Sequence, residues 1–174
     1  MTQIYWTDIE SPIGNLRVAS SEKGLVYIEL PRANGRGFRG WMKSYAADEK
    51  AENADAPNQA AVDQILEYIE GKRREFDLPI DLRATVFQRS VYAELSKVPY
   101  GEQRSYAEIA AAVGRPRAVR AVGSANGANP LPFVIPCHRV IASGGQLHGY
   151  AGGTALKARL LAMESSGPAP GRLF

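Results

Sequence analysis

The side chain best suited to covalent chemistry in this chain of 174 residues is its only cysteine, Cys137. His138 and Arg139 follow it directly, and positive neighbours lower the pKa of a thiol, which increases the fraction of nucleophilic thiolate. Cys137 also ends an apolar run just before a glycine-rich stretch, residues 144–153, a position typical of a pocket floor. A free cysteine is more commonly a buried, inert thiol. Nucleophile and structural thiol are therefore the two alternatives for this residue.

The small number of metal-binding and redox-active side chains excludes several kinds of site. With one cysteine, the chain cannot form an intramolecular disulfide or a zinc site built on several thiolates. With two histidines and no evident carboxylate cluster, we predict no metal site. The N-terminal residues 1–10 are polar and acidic, so we expect no signal peptide, no membrane-spanning segment and a cytoplasmic location.

The net charge of +3 is unevenly distributed along the chain. Residues 1–80 contain 10 Lys and Arg against 13 Asp and Glu, a balance of −3. Residues 81–174 contain 11 Lys and Arg against 5 Asp and Glu, a balance of +6. A basic back half indicates contact with a polyanion, and a solubilising bias of the surface is the alternative.

The front half of the sequence predicts a small α/β unit. Residues 4–8, 15–20 and 24–30 alternate apolar and polar side chains between turn signals, as the strands of an antiparallel meander do. The spacing of apolar residues predicts a short helix at 38–45 and a longer one at 59–71. The charged segment between them has no apolar period, so residues 46–57 are expected to form an exposed linker. No side chain of this half indicates chemistry.

Two capping boxes predict helix starts in the back half. Thr85 is followed three residues later by Gln88, and Ser105 is followed at the same spacing by Glu108. Each box precedes apolar residues at helical spacing, and Gly114 ends the second helix. A last helix is expected at residues 154–164.

A third helix of the back half is predicted to start at Pro116, a residue favoured at the first helical position, and to run to about residue 125. With the helix before it and the tight turn between them, it makes a helix-turn-helix pattern. This helix carries Arg117 and Arg120, and Arg115 lies just ahead of it. The arginines and the basic back half together favour a nucleic-acid contact here.

An ordered set of motifs surrounds the cysteine. The set comprises TVFQ at 85–88, PYGE at 99–102, SY at 105–106, RAV at 120–122, NP at 129–130, VIPCHRV at 134–140 and GYAGG at 149–153. The heptapeptide at 134–140 resembles the active-site signature of the O6-alkylguanine-DNA alkyltransferases, which repair DNA by direct reversal. The other motifs follow that family's order and approximate spacing. The resemblance is close over residues 85–164 and loose over the front half.

The resemblance implies an α+β fold with two domains. A small N-terminal ribonuclease-H-like α/β domain is expected at residues 1–80, and a mostly helical alkyl-transfer domain with a helix-turn-helix at 81–164. Residues 165–174 are expected to be a flexible tail. The implied partner is double-stranded DNA containing O6-alkylguanine, with O4-alkylthymine as a further candidate substrate. In this family the helix-turn-helix enters the minor groove and the target base is flipped out, and we expect a monomer without a membrane partner.

The resemblance also implies roles for four residues in catalysis. The Cys137 thiolate attacks the alkyl carbon, and guanine leaves through O6. His138 and Glu164 match the family's Cys–water–His–Glu relay, and Asn129 matches the residue that braces the active-site turn. Because nothing hydrolyses the thioether product, Cys137 is consumed once per molecule. No cofactor and no metal are required, and His148 matches no functional position.

Two further residues match DNA-contacting positions of the family. Arg120 matches the arginine that fills the gap left by the flipped base, and Tyr106 matches the tyrosine that crowds the 3′ phosphate and contacts that base. The remaining members of the predicted DNA-binding surface are Arg115, Arg117 and Ala121.

The predicted base pocket is built largely from backbone groups. The resemblance assigns base contacts to the carbonyls of Cys137 and Val140 and to the amide of Ala151, where some members of the family carry serine. Tyr150 is expected to form a wall of the pocket. Tyr106 and Gly152 complete the predicted pocket.

Two other functional classes compete with alkyl transfer. The first is a non-catalytic binder, either a helix-turn-helix regulator or a relative of the alkyltransferases that recognises lesions without repairing them. Those relatives lack the reactive cysteine, which is present here as Cys137. The second is a thiol hydrolase that uses Cys137 and His138 and whose covalent intermediate turns over.

Overall fold

The computed structural model describes residues 3–31, 37–147 and 150–165, so His148, Gly149 and the predicted tail beyond Ser165 lie outside the described residues. The strands are β1 (Gln3–Ile9), β2 (Leu16–Ser21), β3 (Gly24–Glu29), β4 (Lys50–Asn53), β5 (Arg104–Ser105) and β6 (Val140–Ile141). The α-helices are α1 (Gly37–Tyr45), α2 (Gln59–Ile69), α3 (Val86–Leu95), α4 (Tyr106–Ala112), α5 (Val119–Gly127) and α6 (Thr154–Ser165). None of the helices in the described ranges is long and apolar enough to cross a membrane.

A four-stranded sheet with the order β3-β2-β1-β4 forms the front of the molecule. The predicted antiparallel meander is confirmed, because β1 pairs with β2 and β2 with β3 in antiparallel register. The linker expected at 46–57 is wrong in part, since β4 lies within it and pairs with β1 in parallel. All four residues of this edge strand are exposed, so the strand has no buried face and no apolar alternation that could reveal it.

Helices cover the two faces of this sheet. Helix α1 buries Phe38 and Trp41 in a small cluster with apolar side chains of β1, β2 and β3. Helix α2 packs on the other side and ends at Ile69, two residues earlier than predicted. Its buried face belongs to the larger hydrophobic core, which is continuous from the sheet to the helices of the back half. Members of that core include Leu16, Val18, Ile65, Ile69, Val91, Leu95, Val122 and Leu160.

Both predicted capping boxes are present. The Thr85 hydroxyl accepts the Gln88 amide at 3.1 Å, and the Gln88 side chain accepts the Thr85 amide at 2.9 Å. Ser105 and Glu108 exchange the corresponding bonds at 3.0 and 2.9 Å. These bonds satisfy backbone donors of the first helical turn, and so they fix where α3 and α4 begin.

The second helix of the helix-turn-helix begins later than the sequence predicts. Helix α5 starts at Val119 rather than Pro116, because the Ala118 amide donates to the Arg115 carbonyl at 2.8 Å and closes a turn ahead of the helix. Arg117 therefore lies in this turn and not on the helix, whereas Arg120 lies in the first turn of α5.

Candidate active site

Cys137 lies on a single turn of 3₁₀ helix, Cys137–Arg139, and is 3% exposed. The chain reaches this turn through a tight bend in which Phe133 has a φ of 73°. Asn129 braces the bend, because its Nδ2 donates to the Ile135 carbonyl at 2.8 Å and its Oδ1 accepts the Leu131 amide at 3.0 Å. These contacts are of the kind that the resemblance implies for Asn129.

A cavity of about 480 Å³ opens onto Cys137. Its walls come from both halves of the chain, with Trp41 on one side and Tyr150 and Ala151 on the other. Three buried polar atoms of the lining have no hydrogen-bond partner in the described part of the chain: Trp41 Nε1, Asn126 Oδ1 and the Tyr150 hydroxyl. Unpaired buried donors and acceptors are costly unless a ligand or water satisfies them, so this cavity is a candidate binding site.

The other predicted pocket residues lie around this cavity rather than in its lining. Val140 is fully buried in β6, and its amide donates to the Cys137 carbonyl. A side chain at Gly152 would place its first carbon 2.8 Å from Leu156 Cδ2, so glycine permits close packing of this turn on α6. Tyr106 is buried at the start of α4 with its hydroxyl 3.4 Å from Lys157 Nζ.

Burial raises the pKa of the Cys137 thiol to about 11. The sequence predicts the opposite direction from the adjacent positive residues, and that expectation is wrong for the protein without DNA. The Arg139 guanidinium turns away to pair with Glu164, and the cation that lowers the thiol pKa is Lys157. Together with a hydrogen bond from Asn129, Lys157 offsets only part of the effect of burial.

His138 and Glu164 form a buried pair, as the resemblance implies. His138 Nε2 lies 2.7 Å from Glu164 Oε2, and both side chains are almost fully shielded from solvent. Because a carboxylate can only accept, Nε2 carries the proton and Nδ1 is a bare acceptor. Nδ1 is buried and has no partner among the described residues.

Opposing effects set the charge states of this pair. Burial lowers the pKa of His138 and outweighs the attraction of Glu164, so the imidazole is held neutral. Burial by itself would raise the pKa of Glu164, but hydrogen bonds from His138 and Arg139 and the positive charge of Arg139 hold it at about 2. The carboxylate is therefore ionised, and the histidine is a neutral base.

Three residues near this pair contribute in ways that the sequence does not predict, since Arg139 is expected only to lower the thiol pKa and the other two have no predicted role. Arg139 is buried and donates to both oxygens of Glu164, at 2.8 and 2.9 Å. The Tyr68 hydroxyl, on helix α2 of the front half, donates to Glu164 Oε2 at 2.6 Å. Lys157 is fully buried on α6, and burial lowers its pKa to about 8. Adjacency to Cys137 could have indicated Arg139, whereas no sequence signal points to Tyr68.

Four of the five predicted DNA-contacting residues form an exposed face near the cavity, whereas the fifth, Tyr106, is buried. Arg115, Arg117 and Arg120 are exposed, and so is Ala121. Helix α5 connects this face to the cavity, because its residues Ser124, Asn126 and Gly127 line that cavity. Helix α5 thus links a ligand bound at these arginines to the cavity that contains Cys137.

The sequence matches two family models. One, described as the ribonuclease-like domain of 6-O-methylguanine DNA methyltransferase, covers residues 4–82, and the other, described as its DNA binding domain, covers 86–166. A constitutive methylated-DNA–protein-cysteine methyltransferase of Bacillus subtilis is 44% identical over 92% of this chain and 94% of its own. This chain belongs to the 6-O-methylguanine DNA methyltransferase family. The α+β class and the ribonuclease-like and helical domains expected from the resemblance are confirmed.

Other members of the 6-O-methylguanine DNA methyltransferase family agree in sequence and in structure. A methylated-DNA–protein-cysteine methyltransferase of Methanosarcina barkeri is 42% identical over 94% of this chain and 98% of its own. The crystal structure of the Mycobacterium tuberculosis protein in complex with DNA superimposes with a TM-score of 0.82 at 40% identity, over 96% of each chain. These members share the architecture of both domains with this chain.

Proposed function

We propose that this protein repairs DNA by transferring the alkyl group of O6-alkylguanine to the thiol of Cys137, once per molecule. O4-alkylthymine is a further candidate substrate. The observation that carries the proposal is that the only thiol of the chain lines a cavity. The residue that follows it directly is a neutral histidine whose Nδ1 has no hydrogen-bond partner among the described residues. The nucleophile Cys137 and the proton acceptor His138 are thus adjacent in the chain, and Cys137 lines a cavity that can hold a nucleobase.

The reaction is a displacement at a saturated carbon. The thiol proton passes to His138 Nδ1 through a bridging water, while Glu164 and its partners support the imidazolium that forms. The thiolate sulfur then bonds to the alkyl carbon, and the carbon–oxygen bond breaks with its electron pair going to guanine O6. The guanine regains a proton from the relay, so charge and atoms balance. No step needs a metal or a cofactor.

The raised thiol pKa fits a base that acts during the reaction. A thiol with a pKa of about 11 is almost entirely protonated at neutral pH, so little preformed thiolate is available for the reaction. A proton acceptor has to act when the substrate is bound. His138 meets this need because burial keeps it neutral.

The recessed position of Cys137 requires the base to leave the helix stack. Cys137 is 3% exposed, so an intact duplex cannot bring a stacked guanine to its sulfur. Arg115 and Arg117 supply positive charge for phosphates at the exposed face, and Arg120 takes the place of the extruded base. These features support double-stranded DNA that carries the lesion as the partner, and we expect the protein to bind it as a monomer.

The decisive experiment is the intact mass of the protein after incubation with an oligonucleotide that contains O6-methylguanine. We expect a gain of one methyl group on Cys137 and a yield that never exceeds one event per molecule. Cys137→Ser should abolish the adduct and still bind DNA, because the exposed arginines remain. Repeated turnover would favour the thiol hydrolase, and tight binding without an adduct would favour the non-catalytic binder.

A further inference from the structure

We propose that Tyr68 is a positioning residue for alkyl transfer, so that the ribonuclease-like domain completes the proton relay of the helical domain. This inference rests on the proposed function. Tyr68 lies within the segment matched by the ribonuclease-like domain. Its hydroxyl contacts His138 and Glu164, which both lie within the segment matched by the DNA binding domain. The contact joins residues 96 positions apart in the chain.

The hydroxyl of Tyr68 reinforces the tautomer of the catalytic histidine that Glu164 already favours. It donates its proton to Glu164 Oε2 at 2.6 Å, so its oxygen is free to accept from His138 Nε2 at 3.1 Å. The Nε2 proton of His138 thus has two acceptors, the carboxylate and the phenol oxygen. Two acceptors on one side of the ring leave the proton at Nε2 and keep Nδ1 bare for the thiol proton.

The surroundings of Tyr68 hold this hydroxyl in place. Its ring packs against Phe76, Phe133 and Tyr100, at centroid distances of 5.5, 5.6 and 6.4 Å. Burial raises the pKa of Tyr68 well above its ordinary value, so the hydroxyl remains protonated and remains a donor. A fixed donor of this kind costs no reorganisation when the imidazolium forms.

The test is Tyr68→Phe, with Tyr92→Phe as the matched control. Tyr92 is also buried, and its hydroxyl donates to the Ala125 carbonyl at 2.8 Å, so both variants lose one buried hydroxyl with its hydrogen bond. We expect the maximal rate of transfer from free O6-benzylguanine to fall about tenfold in Tyr68→Phe, with little change in the half-saturating concentration. Nitrogen-15 spectra should show a shifted Nε2 resonance of His138 in this variant alone, because Nε2 loses its second acceptor.

The outcomes separate this inference from the proposed function. If the wild type transfers the alkyl group and Tyr68→Phe does so at the same rate with unchanged histidine spectra, only the role of Tyr68 is overturned. Absence of transfer by the wild type would overturn the proposed function. Equal loss of rate in Tyr68→Phe and Tyr92→Phe would mean that Tyr68 acts only through stability.

A second inference concerns Asn126 and rests on a different observation. The Cys137 carbonyl, which the resemblance assigns to base recognition, already accepts two hydrogen bonds. One comes from the Val140 amide and the other from Asn126 Nδ2 at 3.2 Å. Because a carbonyl oxygen has two lone pairs, this acceptor is occupied.

We infer that Asn126 itself reads the amine edge of the flipped base. The residue is 1% exposed and lines the cavity, and its Oδ1 has no partner in the described ranges. With Nδ2 donating to the Cys137 carbonyl, Oδ1 is a buried acceptor for the exocyclic amine of guanine, in addition to the Val140 carbonyl that the resemblance assigns to base recognition. This inference also rests on the proposed function, because it names a contact of the same site.

The test compares two substrates that differ in this amine alone. Duplexes with O6-methylguanine and with O6-methylhypoxanthine, which lacks the amine, are reacted with the wild type and with Asn126→Ala. We expect the preference of the wild type for O6-methylguanine to fall about 3- to 10-fold in Asn126→Ala. A ratio of rates is unaffected by any loss of folded protein.

The matched control for this ratio is Asn58→Ala. Asn58 is a second fully buried asparagine with an unpaired Oδ1, and its Nδ2 donates to the Tyr5 and Ala54 carbonyls away from the cavity. Its substitution should leave the preference unchanged. An unchanged preference in Asn126→Ala would overturn the inference, and failure of the wild type to react with either duplex would instead overturn the proposed function.

Discussion

Glu164 is the most heavily hydrogen-bonded side chain of the site, and the donors that hold its pKa low make the folded protein sensitive to acid. It accepts from Tyr68, His138, Arg139 and the Gly101 amide. Its pKa is about 2 in the folded protein and 4.5 ordinarily, so unfolding raises its proton affinity. The stabilisation is fully present above pH 4.5 and is lost as the pH falls towards 2. It amounts to about 3 kcal/mol.

We therefore expect the free energy of unfolding to fall steeply below pH 4.5 in the wild type. This loss of stability with falling pH should be absent from Glu164→Gln, because glutamine does not titrate. The variant should also be less stable than the wild type at neutral pH, because Arg139 loses its carboxylate partner. Urea unfolding between pH 6 and 3 measures both. The exposed Glu22→Gln is the control, and its pH dependence should match the wild type. Parallel curves for wild type and Glu164→Gln would contradict this prediction.

The residues of this site show where sequence reasoning succeeds and where it stops. Cys137, His138 and Glu164 follow from motif positions, and the structure brings the last two into contact. Tyr68 lies between Ile65 and Ile69 on the buried face of α2, so its type and spacing predict a core aromatic. Nothing local to α2 reveals a carboxylate 96 residues further along the chain.

At the scale of elements, the predictable features are those encoded within a few residues. The capping boxes of α3 and α4 involve residues three apart, and both are present. The start of α5 depends instead on a turn closed by a backbone bond from Ala118 to Arg115, which side-chain types do not specify. Strand β4 depends on its partner β1, distant in sequence, and so the exposed edge strand is not predictable from its own residues.

The placement of Arg120 on α5 predicts that duplex and free-base reactions depend on it differently. The side chain is exposed on the DNA-contacting face, whereas the cavity is lined by later residues of the same helix. Arg120→Ala should slow repair of O6-methylguanine in a duplex much more than reaction with free O6-benzylguanine, because only the duplex needs a base to be flipped out. Single-turnover rates on both substrates measure this difference, and equal losses would exclude a role in flipping.

At the scale of the whole molecule, one hydrophobic core joins the sheet to the helices of the back half. We expect the two domains to unfold together, since separation would expose side chains of this shared core to water. Both tryptophans, Trp6 and Trp41, lie in the front half, whereas most helical residues lie in the back half. Tryptophan fluorescence and far-ultraviolet circular dichroism should therefore give the same denaturation midpoint. Two separated transitions would show that the shared core does not couple the domains.

The burial of Cys137 also bears on how the protein persists in the cell before it meets a lesion. Oxidants and soluble electrophiles react with thiolates that are accessible, and a buried thiol with a pKa of about 11 offers them almost none. A sulfur that can be used only once is wasted by any such side reaction. The small thiolate fraction gives the resting protein a long chemical lifetime, and reaction begins only when a flipped base reaches Cys137.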